Sequence, residues 1–347
     1  MNHGPDRPIL ARMRAMILER TGPLESRPLR LADIPVPEPG EGEVLVRVSI
    51  CGLCHTDIHT VEGDLEIPRL PLVPGHQIVG TVEKAGPGVD SPTPGDRVGA
   101  AWLGSACGTC RWCASGRENL CGSARFNGLH IDGGYAEYAA LPAGFVYPLP
   151  EGFSDRDAAP LLCAGIIGYR SLRLSGIEPG GTLGLYGFGA SAHVAIQVAV
   201  HWGCTVYVFT RSAEHREHAE RLGAAWTGGS GDVPPTPPDA SVIFAPAGSI
   251  VPQALEAVDK GGTVACAGIT MTEIPPLDYE RHLYHEKVLR SVANSTRRDG
   301  MELLELAARI PIRTDTTLYP LEAANDALLD IAGSRISGAG VLEIGRG

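Results

Sequence analysis

The sequence is short of basic charge: 29 Lys and Arg stand against 40 Asp and Glu, a formal net charge of −11. A nucleic-acid or anionic-membrane surface has no electrostatic footing here. No apolar run approaches the length of a membrane span. Near the start, Arg7, Arg12 and Arg14 occur without the apolar core of a signal peptide. Residues 1–12 therefore read as a loose tail before a strand at 15–18, and the expected location is cytoplasmic. Without a secretion signal, the nine cysteines argue for reduced thiols and metal binding, not disulfides. There is no internal repeat and no low-complexity tract.

The 347 residues suggest about two domains. Hydrophobic residues make up 44%, enough for real cores. With 44 Gly and 28 Pro, a turn-rich, strand-rich chain is favoured over a helical bundle.

Up to about residue 150, short alternating apolar runs such as Val44 to Ile50 and Gly80 to Gly86 are punctuated by Gly and Pro. This predicts a twisted β domain with few helices. From Ser154 the pattern changes. Helix formers run from Asp155 to Leu174, then strands are predicted at 182–186, 205–209, 240–244 and 262–267, with helices at 192–202 and 251–258 between them. Ser212 reads as a helix cap with Glu214 in the first turn. The alternation predicts an α/β, doubly wound parallel sheet. Helices are expected near 299–310 and 321–332, and a last strand, 339–344, returns to the first domain.

Cys107, Cys110, Cys113 and Cys121 have the spacing C-x2-C-x2-C-x7-C in a glycine-rich loop. Four thiolates surround one zinc tetrahedrally and leave no open position, so this metal is structural. Four unrelated packed thiols are the plainer alternative, and nothing else in the segment looks able to fix the loop.

Cys54-His55-Thr56-Asp57-Ile58-His59 packs a thiol, two imidazoles, a hydroxyl and a carboxylate into one turn. Cys54, His76 and Cys163 are candidates for a second zinc with an open fourth position. Spacing alone does not settle it. His76 fits a packed histidine, Cys163 fits core filler, and Cys51 competes with Cys54. Gly187-x-Gly189-x-x-Ala192 follows a predicted strand and opens a helix, the context a dinucleotide fingerprint requires. Pyrophosphate would sit on that helix N-terminus.

These stretches, with Pro74-Gly75-His76-Gln77, Gly95-Asp96-Arg97-Val98 and Leu162-Cys163-Ala164-Gly165, resemble the zinc-dependent alcohol dehydrogenases of the medium-chain dehydrogenase/reductase superfamily. The likeness spans nearly the whole chain and is strongest to the bacterial branch related to cinnamyl alcohol dehydrogenases. It implies a GroES-like catalytic domain (residues 1–160 and 292–347, with the structural-zinc loop at 100–125) and a Rossmann domain (161–291). It implies two zinc ions per chain and selects Cys54, His76 and Cys163 for the catalytic one. Asp57 would brace His76. Thr56 would contact the substrate oxygen and His59 would pass the proton to water, a task suited to imidazole. His55 would meet the pyrophosphate, and Gly268 and Ile269 are further cofactor contacts. Trp102 resembles a pocket-lining residue; Val61 and Leu65 stand where related enzymes carry aromatics, implying a wide pocket. The family's usual Glu after the ligand histidine is Gln77 here, which implies a more electrophilic zinc and slower ligand exchange.

The end of the second Rossmann strand carries Thr210, Arg211 and Ser212 where NAD enzymes place a carboxylate. This favours NADP over NAD. The expected activity is reversible hydride transfer between alcohols and aldehydes or ketones, in a homo-oligomer, dimer or tetramer. The rivals are a zinc-independent quinone or enone reductase, and a non-catalytic zinc- and nucleotide-binding protein.

Overall fold

A computed structural model describes residues 11–310, 312–336 and 338–345. The chain opens with an antiparallel pair, β1 (Arg12–Leu18) and β2 (Leu29–Pro35). Arg12 is thus part of a strand, not of a tail, because it pairs in register with Pro35. The rest of the expected tail, apart from Ala11, lies outside the described residues.

Next come β3 (Glu43–Leu53), α1 (His55–Glu62), β4 (Gln77–Ala85), β5 (Arg97–Ala100) and β6 (Leu103–Ser105). The loop helix α2 (Arg111–Ala114) leads to β7 (Arg125–Phe126), β8 (Tyr138–Pro142), β9 (Val146–Pro148) and the short α3 (Asp155–Ala158). The second half holds α4 (Ala164–Ser175), β10 (Thr182–Tyr186), α5 (Ala190–His201), β11 (Thr205–Phe209), α6 (Ala213–Arg221), β12 (Trp226–Gly228) and β13 (Ala240–Ile243). It continues through α7 (Ile250–Ala257), β14 (Thr263–Cys266), α8 (Tyr279–His282), β15 (Val288–Ser291) and α9 (Arg297–Ala307). The last elements are β16 (Thr316–Pro320), α10 (Ala324–Ala332) and β17 (Ala339–Glu343).

Two sheets dominate. One runs β16-β17-β3-β4-β5-β9, with β8 also on β3. Its C-terminal strand β17 lies antiparallel to β3, the expected return of the chain. The other is fully parallel, in the order β12-β11-β10-β13-β14-β15. The strand order reverses beside β10, where ligands bind in such sheets. The edge strands β12 and β15, and β16, were not legible in the sequence pattern. They are short and half-exposed, so their apolar periodicity is weak.

The helix expected from Asp155 to Leu174 is broken. A 3-10 turn, Ala159–Leu162, separates α3 from α4, and Cys163 sits at the break with φ −130° and ψ −75°. The break follows from packing. Leu161 and Leu162 are buried, and Leu162 fills the space over Gly99 of β5. Burial of each Leu stabilises this seam by about 2 kcal/mol. One apolar core therefore runs from Ile50 and Val79 in the first sheet through Leu161 and Leu162 to Leu183 and Val242 in the second.

Candidate active site

The site is assembled by β3, β4 and the seam. The β3–β4 ladder pairs Gly52 with Gln77. Cys54, just beyond β3, therefore comes to face His76, just before β4. Gly75 has φ +96°, and a Cβ there would run into Tyr135 and the Cys51 sulfur. Only glycine allows the chain to turn His76 inward at that point. The seam delivers Cys163.

The three candidate ligands meet. Cys54 Sγ is 3.5 Å from His76 Nε2 and 3.8 Å from Cys163 Sγ, and the whole set lies within 4.8 Å. Cys51 is excluded from this group: it is buried in β3 with its thiol on the Gly52 carbonyl at 3.6 Å. Burial pushes that thiol far above its ordinary pKa, which makes it inert. Two sulfurs and an imidazole nitrogen converging without a fourth His, Cys or carboxylate ligand among the described residues fit an open zinc site.

The electrostatics of the cluster are tightly linked. The hydrogen bond from the Cys163 thiol and the charge of His76 pull Cys54 well below the ordinary thiol range, against its burial. Cys163 is pushed up by that same hydrogen bond and by burial. Burial alone would lower His76, but Asp57 and Cys54 outweigh it and raise the imidazole to about 10. Asp57 is buried with Oδ1 at 3.2 Å from His76 Nδ1 and Oδ2 at 2.8 Å from the Cys54 backbone N–H.

On α1, Thr56 is buried and its backbone N–H points at Cys54 Sγ at 3.4 Å. His59 is partly exposed and its Nδ1 lies 2.8 Å from Asp64 Oδ2. Asp64 was missed in the sequence, where nothing marks it as a partner. His55 is exposed at the helix start. Trp102 packs edge-on against His76 at 5.0 Å and stacks on Phe126 at 5.1 Å. Phe126 is therefore a packing partner of Trp102 that the linear reading did not find. Leu65 is half-buried, whereas Val61 has no exposed surface and belongs to the core beside Ile58. Its place on the inward face of α1 removes Val61 from the pocket. Gln77 is also buried, and among the described residues its Nε2 has no hydrogen-bond partner.

The cysteine quartet forms the second cluster, all four sulfurs within 4.8 Å of one another. Backbone N–H groups of Thr109 and Cys110 lower Cys107 to about 6, while loss of solvation raises Cys113 to about 12. Four converging sulfurs fit a closed zinc shell. Side-chain and backbone contacts also fix this loop, contrary to the sequence expectation. Arg111 and Arg117 stack on Trp112 at 4.4 and 4.6 Å, and Glu118 accepts the Arg297 backbone N–H at 3.0 Å.

At the switch point, Gly187 has φ +84° and donates its N–H to Phe209 O, which ties the turn between β10 and α5 to the end of β11. Gly189 caps α5, and a Cβ placed there would meet nothing within 4 Å. Ala192 lies on the buried face of α5. A phosphate can approach the bare backbone at such a turn. At the end of β11, Thr210 is buried, its carbonyl accepts Arg216 Nε at 2.9 Å, and Arg211 is exposed. Arg216 is a further cation at this end that sequence reading passed over. Beyond β14, Gly268 is half-buried and Ile269 is 52% exposed.

A GroES-like domain joined to a Rossmann sheet, with a dispersed Cys-His-Cys cluster and a four-cysteine loop, defines a zinc-type medium-chain dehydrogenase. The comparisons make the assignment narrower. Residues 40–151 match the alcohol dehydrogenase GroES-like domain and residues 190–309 match the zinc-binding dehydrogenase family. The chain is 48% identical over 339 residues to "Probable alcohol dehydrogenase AdhA" of Mycobacterium tuberculosis, covering 96% of this chain and 98% of that one. It is 36% identical to an alcohol dehydrogenase of Geobacillus stearothermophilus, covering 96% and 100%. A cinnamyl alcohol dehydrogenase structure from Sorghum bicolor superposes with a TM-score of 0.86 at 26% identity, covering 96% and 98%. A cobalt- and zinc-bound alcohol dehydrogenase from Pyrobaculum aerophilum gives 0.87 at 26%, covering 96% and 100%. The chain belongs to the zinc-type alcohol dehydrogenase family.

Proposed function

We propose that the protein interconverts primary or secondary alcohols with aldehydes or ketones, using one catalytic zinc, one structural zinc and NADP in preference to NAD. The observation that carries this reading is the convergence of Cys54, His76 and Cys163 at the seam between the two sheets. Residues 161–291 would form the cofactor domain, and 1–160 with 292–347 the catalytic domain.

Zinc, when bound, supplies the Lewis acid that acidifies the substrate hydroxyl, and the nicotinamide takes the hydride. The chain's own groups do the rest. Cys54, His76 and Cys163 hold the metal, and Asp57 orients His76 and Cys54 together. The Thr56 hydroxyl would contact the substrate oxygen, accepting its hydrogen bond while giving its own proton onward, and His59, paired with Asp64, would pass a proton to water. Trp102 would wall the reacting centre with Phe126 stacked on it, and Leu65, standing where related enzymes carry an aromatic, would leave room for longer or aromatic substrates. His55, Gly187, Gly189, Gly268 and Ile269 receive the dinucleotide, with Ala192 keeping the helix close to the sheet.

NADP is favoured by the exposed Arg211 and by Arg216 beside Thr210, where no carboxylate would repel a 2′-phosphate. A zinc-independent quinone reductase needs neither cysteine cluster, and a mere binding module needs no proton path. Among the described residues no helix is long and apolar enough to cross a membrane. A cytoplasmic homo-oligomer, dimer or tetramer, is our reading for the assembly.

The test is a spectrophotometric screen of alcohols and aldehydes with NADPH and NADH in parallel. Turnover with kcat/KM higher for NADPH supports the proposal. A ratio below one refutes the cofactor choice, and no turnover with zinc-loaded protein refutes the activity.

A further inference from the structure

Among the described residues a third set of potential ligands stands apart from both cysteine clusters. His193, His218 and Asp315 bring their ligand atoms within 4.8 Å of one another. His193 lies in α5, His218 in α6, and Asp315 in the segment that carries the chain from α9 back to β16. The two rings meet edge to face with centroids 4.5 Å apart. His218 Nε2 is 3.6 Å from Asp315 Oδ2. The His218 side chain is 15% exposed and that of Asp315 is 59%, so an ion can enter from solvent over the carboxylate.

We propose that His193, His218 and Asp315 form a third divalent-metal site, suited to Zn2+ or Co2+, which ties the return segment to the two nucleotide-fold helices. Two imidazoles and one carboxylate are a donor set for borderline first-row ions, whereas Mg2+ and Ca2+ favour oxygen alone. Three protein ligands leave room for water on the metal.

The site is already oriented. His193 Nε2 lies 3.0 Å from the Arg313 carbonyl, which also accepts Gln197 Nε2 at 3.0 Å. Gln197 Oε1 in turn takes the Arg313 N–H at 2.8 Å. A ring that gives one N–H to a backbone carbonyl keeps the other nitrogen's lone pair for a ligand, the arrangement metal-bound histidines commonly show. Burial, helped by the neighbouring imidazole, holds His193 below its ordinary pKa, and burial does the same for His218. Neutral imidazoles bind metal without first losing a proton. Asp315 is the exposed partner, its side chain free to rotate toward the rings and close the set to bonding distance. The His218 ring also meets Phe188 of the glycine turn edge-on at 5.8 Å, so a bound ion would brace that turn from behind.

The experiment titrates Co2+ into the full-length protein with both cysteine clusters loaded with zinc. The expected result is one further equivalent bound, with visible ligand-field bands, no near-UV thiolate-to-cobalt band, and a raised Tm. His218→Asn and Asp315→Asn should each weaken this binding at least about tenfold. Asp315 is surface-exposed, so its variant keeps the fold, and retained zinc content checks that. Absence of a further equivalent, affinity unchanged in both variants, or only a thiolate-to-cobalt band from exchange into the cysteine sites would overturn the proposal.

Discussion

Asp57 accepts from both sides of the candidate zinc site: Oδ1 lies 3.2 Å from His76 Nδ1 while Oδ2 takes the Cys54 N–H at 2.8 Å. One buried carboxylate thus sets the ring of one ligand and the backbone of another. Asp57→Asn should weaken zinc at this cluster by about 10- to 100-fold. Chelator competition is the measurement, with zinc content falling from two to one per chain as the quartet keeps its ion. Equal retention by the variant would show that Asp57 is only a packing group.

His59 and Asp64 form the outer end of the proposed proton path. His59→Gln should slow alcohol oxidation by up to about 100-fold. The loss should be largest on the acid side, where proton release is hardest. A kcat profile lowered equally at every pH would indicate a structural role instead.

Arg211 stands exposed beside the buried Thr210. Arg211→Ala should lower kcat/KM for NADPH by about 10- to 100-fold, the loss of one charge-assisted contact, and leave that for NADH nearly unchanged. Equal losses with both cofactors would mean that Arg211 serves the adenine rather than a 2′-phosphate.

Replacing both Cys107 and Cys110 with Ser should remove one zinc and lower the Tm, because two of four sulfurs are lost. The stacked Arg111, Trp112 and Arg117 and the Glu118–Arg297 contact will hold part of the loop. Metal analysis with thermal unfolding checks this. Two zinc ions and an unchanged Tm in the variant would contradict a structural site.

His130 gives a pH-dependent term. Its burial, with the charge of Arg125, holds the ring below its ordinary value of 6.5. As the pH falls below that value, the unfolded chain takes the proton before the folded one. The stability from His130 is therefore complete above 6.5 and lost as pH falls through the lower folded value. NMR titration should find a midpoint below 6.5. Between about pH 7 and pH 5, the urea midpoint of His130→Gln should fall less than that of the wild type, a small difference for a partly exposed ring. Parallel falls would remove the assignment.

The chain's alternation of strands and helices was legible because apolar periodicity and glycine or serine punctuation are local properties. The strands at residues 182–186 and 205–209 match those expected, and Ser212 caps α6 through His215 N. The quartet was legible for the same reason, since its ligands share one loop. Weakly patterned edges such as β12 and β15 were not. Val61 was misplaced because a sequence does not say which face of a short helix is buried.

What the sequence determined by itself is the set of donors: the five polar residues from Cys54 to His59, the four clustered cysteines, and the glycine turn before α5. Beyond what the family resemblance implied, what only the tertiary structure decided is which distant groups meet and why. Cys54 over Cys51 follows from the register of β3 on β4, and the arrival of Cys163 follows from burial of Leu161 and Leu162 at the seam. Asp64 beside His59, Phe126 beside Trp102, and Asp315 beside two histidines were equally invisible along the chain. Such meetings depend on long-range packing, where each contact is fixed by the burial of other residues rather than by the order of its own.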